Sequence, residues 1–148
     1  MTSVLSLGSN LGDRMGHLRL GVEVLEPLKV SRVFETQPWG LADQPAFLNL
    51  VALCAWDATE AWRRARLAED RAGRVREQRW GPRTLDVDVI QATGTDPGLV
   101  LPHPHAHERA FVVVPWLDID PDAVLDGHGP VSGLPVDAST VRAVGVLA

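Results

Sequence analysis

The chain has 148 residues, 45% of them hydrophobic, with a net charge of −5 and one cysteine. That length and balance describe one folded domain with a real core, and exclude a disordered chain. A lone Cys54 excludes a disulfide framework or a Cys-rich zinc module, and no apolar run is long enough to span a bilayer.

Residues 4–8, "VLSLG", read as a first strand, and "SNLGDR" as a turn in which Asp13 caps a helix. Met15, Leu18, Val22 and Leu25 then recur at helical spacing, and Pro27 follows the stop. "LKVSRVFET" (28–36) is β-branched and predicts a second strand; "QPWGLADQP" (37–45) is a loop. "AFLNLVALCAW" is apolar on both faces and predicts a central strand. Asp57 and Glu60 have the spacing of a capping box, followed by a packing stripe of Ala58, Ala61, Trp62, Ala65 and Ala68 and a stop at Gly73. "RVREQRWGPR" is a polar loop and "TLDVDVI" a fourth strand. The order β-α-β-β-α-β predicts an α+β, ferredoxin-like (split βαβ) antiparallel sheet with helices on one face. Additional C-terminal elements complete a single domain over 1–148. "AFVVVPWLDIDP" contains a strand-like piece, and residues 123–148 are too broken by Gly and Pro to predict an element.

Charge is unevenly placed. Residues 60–83 hold eight arginines against four acids, in an otherwise acidic chain. This argues against a general nucleic-acid binder and suits an anionic small molecule held in one place, although a solvated helix face has the same composition. The N-terminus lacks the pattern of a secretion signal, so the expected location is cytoplasmic.

Asp86 and Asp88 stand two apart on the fourth strand and therefore share a face, with Leu85, Val87 and Val89 on the other. Side-by-side carboxylates repel, and a divalent cation relieves that repulsion; oxygen-only ligands suit Mg²⁺. Taken alone, the pair fits a metal site and a solvent-facing edge strand equally well. Arg74, Arg76, Arg79 and Arg83 precede it, spaced to converge on an anion, and arginine binds phosphate oxygens bidentately. Cation plus arginines is recurring equipment for phosphoryl transfer. Trp80 sits in that polar loop, placed either to cover a ligand or to pack on a neighbour. Phe47 and Asn49 share a face of the third strand, so a ring and an amide could address one planar heterocycle, unless both serve the core. His103, His105 and His107 alternate in "LPHPHAHERAF", where the prolines argue against a zinc-binding strand; His103 and Arg109 fit phosphate contacts better.

"RWGPRTLDVDVI" (79–90) resembles the signature of the 6-hydroxymethyl-7,8-dihydropterin pyrophosphokinases: a charged residue, any residue, Gly-Pro-Arg, two residues, then Asp-aliphatic-Asp-aliphatic-aliphatic. "SLGSNLGDR", "ETQPWGLADQPAFLNLV" and "LPHPHAHERAFVVVPWLDIDPD" agree with the same family in order and spacing, so the resemblance spans residues 6–122. It implies a ferredoxin-like fold and transfer of pyrophosphate from ATP to the pterin hydroxymethyl group, leaving AMP, in folate biosynthesis. It implies that Asp86 and Asp88 hold two Mg²⁺ ions and that Arg74 and Arg83 clamp the triphosphate. Glu69, Arg76, Trp80, His103 and Arg109 would contribute to ATP binding. The pterin would stack between Phe47 and Phe111, read by Asn49 and the region of Thr36, Gln37 and Trp39, with Trp80 closing over it. Phe47 stands where tyrosine is frequent in the family, and Trp39 is bulkier than the usual aliphatic residue. No general base is evident; Asp88 is the sole carboxylate nominated. ATP and the pterin are the expected partners of a monomer, with neither nucleic acid nor membrane. Another Mg²⁺-dependent transferase on the same fold is the alternative enzyme; an RNA-recognition module fits the acidic body poorly.

Overall fold

The computed structural model describes residues 3–36, 46–73 and 84–147. Two strands organise them. β1 (Ser3–Ser9) and β4 (Phe47–Cys54) are buried almost throughout and pair antiparallel, with Ser3 opposite Cys54 and Ser9 opposite Leu48. β5 (Asp86–Ala92) pairs with the free side of β1, and β3 (Val33–Thr36) with β4. β8 (Val141–Gly145) adds an edge beside β3, and the short β2 (Lys29–Val30) lies against β4. The order along the sheet is β5-β1-β4-β3-β8, antiparallel at every pairing. The architecture is α+β.

Strand alternation divides the sheet into two faces. Leu5, Leu7, Leu48, Leu50, Val87 and Val89 point to one, where α1 (Arg14–Leu25) and α2 (Ala58–Arg71) cover them. Asp13 Oδ1 accepts the Gly16 N–H at 3.0 Å and caps α1. Gly21 lets α1 sit close, since a Cβ there would stand 2.7 Å from Leu7 Cδ2. Ala58, Ala61, Ala65 and Ala68 are the buried stripe of α2, with Trp62 half-buried beside it. Asp57 Oδ1 accepts the Glu60 N–H at 3.0 Å, but the Glu60 carboxylate turns to Arg63 and Arg64 and leaves the capping box half made. Gly73, at φ +72°, ends the helix as read from sequence.

The other face differs from the sequence expectation. The segment read as strand-like is α3 (Ala110–Ile119), packed on Val4, Val51, Leu53 and Ile90. Its buried residues Val112, Val113, Trp116 and Ile119 recur at helical spacing, and burial of that stripe outweighs the β preference of three consecutive valines. Pro115, inside the helix, forgoes one ladder bond. Lys29 Nζ donates to the Ile119 carbonyl at 3.1 Å, and Arg32 holds Asp118 through its backbone N–H and guanidinium.

Those same contacts explain why 28–36 is two strands rather than one. The Ser31 hydroxyl, not a backbone carbonyl, accepts the Val51 N–H at 3.0 Å, and the ladder with β4 resumes only at Phe34. The tail, in which the sequence predicted no element, forms a hairpin of β6 (Val124–Leu125) and β7 (Gly129–Pro130) before β8. Among the described residues no helix is long and apolar enough to cross a membrane.

Candidate active site

Leu85, Val87 and Val89 are buried beneath α1 and α2, so Asp86 and Asp88, both half-buried, point to the α3 side. The register carries this face across the sheet. Asp86 lies opposite Gly8, Gly8 opposite Asn49, and Asn49 opposite Phe34. In the next row Asp88 faces Ser6, and at the other end Phe47 faces Thr36. Directly opposed residues put their side chains on the same face. One surface therefore carries two carboxylates, two hydroxyls, a bare backbone position, an amide and two aromatic rings.

Asn49 is held in one orientation. It is buried, and the Thr36 hydroxyl donates to its Oδ1 at 2.9 Å. With the oxygen engaged, the amide presents its N–H donors over β1.

The segment before α3 hangs from β5, where the His103 N–H donates to the Ile90 carbonyl at 2.7 Å. His103 Nδ1 accepts the His105 N–H at 3.2 Å, which leaves the ring proton on Nε2 as a donor. Burial pushes the His103 imidazole below its ordinary value; Asp88 opposes that shift, and Arg109 and His105 reinforce it. Accepting at Nδ1 requires that nitrogen to be unprotonated, which is the neutral form of the ring. Arg109, at the start of α3, has its guanidinium 3.7 Å from Asp88 Oδ2 and 5.5 Å from the centre of the Phe111 ring. A long, partly exposed pair of this kind contributes well under ~1 kcal/mol, so the cation is readily shared with an incoming anion. His107 turns away and stacks on His128 with ring centres 4.2 Å apart.

Glu69 reaches β5 from the α2 side. It is buried, and its Oε2 accepts the Val87 N–H at 2.9 Å, between the two aspartates in sequence. The structure thus gives Glu69 a brace on the strand that carries the carboxylates. A cleft of about 540 Å³ opens between Thr36, Arg109 and Phe111 and the tail residues Val136, Asp137 and Thr140. Its size suits a small heterocycle.

No three His, Cys, Asp or Glu side chains form a metal-holding group among the described residues. The oxygen donors of Asp86 and Asp88 fit Mg²⁺, which is commonly held by one or two carboxylates and completes its shell with phosphate and water. Thr36, Phe47, Asn49, Asp86, Asp88, His103, Arg109 and Phe111 lie on this face or on the segment over it. Gln37, Trp39, Arg74, Arg76, Trp80 and Arg83 lie outside the described residues. Gly8 and the tail wall of the cleft were not anticipated. The alternation in "VLSLGS" already placed Gly8 on the face of Ser6, but only strand pairing puts it between Asp86 and Asn49.

A family model described as 7,8-dihydro-6-hydroxymethylpterin-pyrophosphokinase (HPPK) matches residues 4–121. A relative from Mycobacterium tuberculosis strain H37Rv, named 2-amino-4-hydroxy-6-hydroxymethyldihydropteridine pyrophosphokinase, is 45% identical over 94% of this chain and 87% of its own. Relatives of the same name from Mycobacterium leprae and Bacillus subtilis are 50% and 37% identical, over 85% and 78% of this chain and 75% of each relative.

Proposed function

The chain belongs to the 7,8-dihydro-6-hydroxymethylpterin-pyrophosphokinase family, and from that premise we propose that it transfers pyrophosphate from ATP to the hydroxymethyl group of 6-hydroxymethyl-7,8-dihydropterin, releasing AMP, in folate biosynthesis. The fold assignment that goes with this reading is the ferredoxin-like sheet. The observation that carries the reading is the shared face on which Asp86 and Asp88 are separated from Asn49 by the single strand β1. A phosphate-handling end and a heterocycle-handling end stand one strand apart, the spacing that a short hydroxymethyl arm requires.

Each side chain has a task in this scheme. Asp86 and Asp88 would hold Mg²⁺, two ions on the family's pattern, which would supply charge neutralisation at the phosphates and Lewis-acid activation of the hydroxyl. The neutral His103 ring donates from Nε2 to a phosphate oxygen. Arg109 exchanges its loose contact with Asp88 for the triphosphate, and its position beside Phe111 ties nucleotide binding to the aromatic end of the site. Phe47 and Phe111 stack the pterin, and Asn49 donates to its edge from an amide that Thr36 has already oriented. Arg74 and Arg83 clamp the transferring phosphates, and Glu69, Arg76, Trp80, Gln37 and Trp39 take the contacts that the resemblance assigns them.

Calorimetric titration of Asp86→Asn and Asp88→Asn with a non-hydrolysable ATP analogue tests the metal reading. Both variants are expected to lose the Mg²⁺-dependent part of nucleotide affinity while keeping the fold. Equal affinity with and without these carboxylates would remove them from the metal role.

A further inference from the structure

We propose that Gly8 is a positioning residue for the pterin: it leaves open the volume that the Asn49 amide occupies. This role rests on the pterin reading above and extends it to β1, which carries none of the site residues expected from the sequence. Gly8 lies in the middle of β1, and its backbone does not require glycine, since it is absent from the positive-φ positions. Glycine inside a strand weakens it and marks a close approach by another group. Here that group is identifiable. A Cβ at position 8 would stand 2.7 Å from Asn49 Nδ2 and 3.5 Å from Phe47 Cδ1.

The first distance is too short to be absorbed cheaply. Nδ2 ends a side chain, but that side chain is buried and its oxygen accepts from Thr36 at 2.9 Å. Swinging the amide away from a methyl group at position 8 breaks the Thr36 bond and turns the N–H donors from the face they address. The second distance is ordinary contact, so the Phe47 ring is limited by Gly8 without being forced. A methyl group at this one position therefore reaches the residue proposed to read the pterin and touches the ring proposed to stack it. Asp86, the metal-side neighbour of Gly8 in the same row, answers to the nucleotide instead.

The test is calorimetric titration of 6-hydroxymethyl-7,8-dihydropterin into protein holding Mg²⁺ and a non-hydrolysable ATP analogue. It compares the unmodified chain, Gly8→Ala, Asn49→Ala and the double variant. Gly8→Ala is expected to weaken pterin binding about tenfold or more, equivalent to ~1.4 kcal/mol, with affinity for the ATP analogue within about twofold. On the Asn49→Ala background, where the amide is gone, Gly8→Ala is expected to add less than about twofold, the signature of two residues acting through one contact. Unchanged pterin affinity in Gly8→Ala, an equal loss of ATP-analogue affinity, or full additivity in the double variant would each overturn the proposal. If Gly8→Ala fails to fold, the double variant carries the test. It has room for the methyl group and must fold and bind pterin as Asn49→Ala does; failure to fold, or a further tenfold loss, overturns the proposal. An unmodified chain that binds no pterin would overturn the underlying reading and this inference with it.

Discussion

Replacing Glu69 separates two tasks that one buried carboxylate can perform. Glu69 Oε2 accepts the Val87 N–H at 2.9 Å, on the edge strand that carries Asp86 and Asp88. A hydrogen bond to a charged acceptor contributes about 1.5–3 kcal/mol, and a buried donor left unsatisfied costs ~1–3 kcal/mol. Glu69→Ala removes the acceptor and is expected to cost about 2–3 kcal/mol. Glu69→Gln keeps a carbonyl oxygen at the same reach and is expected to cost less than ~1 kcal/mol. At roughly 3 °C per kcal/mol for a chain of this size, Glu69→Ala should lower Tm by about 6–9 °C. Urea unfolding followed by circular dichroism gives the free energies, and hydrogen exchange at the Val87 amide reports the bond itself, which should lose protection in Glu69→Ala and keep most of it in Glu69→Gln. A Glu69→Ala protein as stable as the unmodified chain, with Val87 still protected, would refute the bracing role and leave Glu69 to the nucleotide alone.

Two further expectations concern the rest of the molecule. Hydrogen bonds from Arg63 and Arg64 hold the Glu60 carboxyl down at about 2, below its ordinary 4.5. Because the folded value is the lower one, the stabilisation is complete above pH 4.5 and is lost as pH falls towards 2. The group is partly exposed and screened by solvent, so Glu60→Gln should cost less than ~1 kcal/mol at pH 7 and nothing near pH 2; urea midpoints across that range check it, and a constant difference would contradict it. Burial pushes the Cys54 thiol up to about 11. A thiol reagent at pH 8 should therefore label it only as fast as the chain unfolds, and rapid labelling of the native protein would show that β4 is not the closed central strand described here.

What the sequence made legible was local. Asp13 and Asp57 announced two helix starts, and the alternation of Asp86-Val87-Asp88-Val89 gave both faces of β5 from four residues. Those signals need no partner from elsewhere in the chain. The Thr36–Asn49 bond and the Gly8–Asn49 apposition depend on register between separate strands, which periodicity within a strand does not encode. α3 was misread because Val112, Val113 and Val114 favour β structure, while the helical evidence, Trp116 and Ile119, lay beyond the run. β8 escaped because its side chains are mostly exposed and carry little hydrophobic pattern, its place being set by pairing with β3.

In the proposed reaction the face joining Asp86, Asp88 and Asn49 passes two phosphates as one unit to a pterin alcohol. It is tested most directly by incubating the protein with ATP, Mg²⁺ and 6-hydroxymethyl-7,8-dihydropterin and separating the products by chromatography. AMP and the pterin diphosphate should appear together in equal amounts, and neither without Mg²⁺. Formation of ADP with a pterin monophosphate, or release of free pyrophosphate with no phosphorylated pterin, would contradict it.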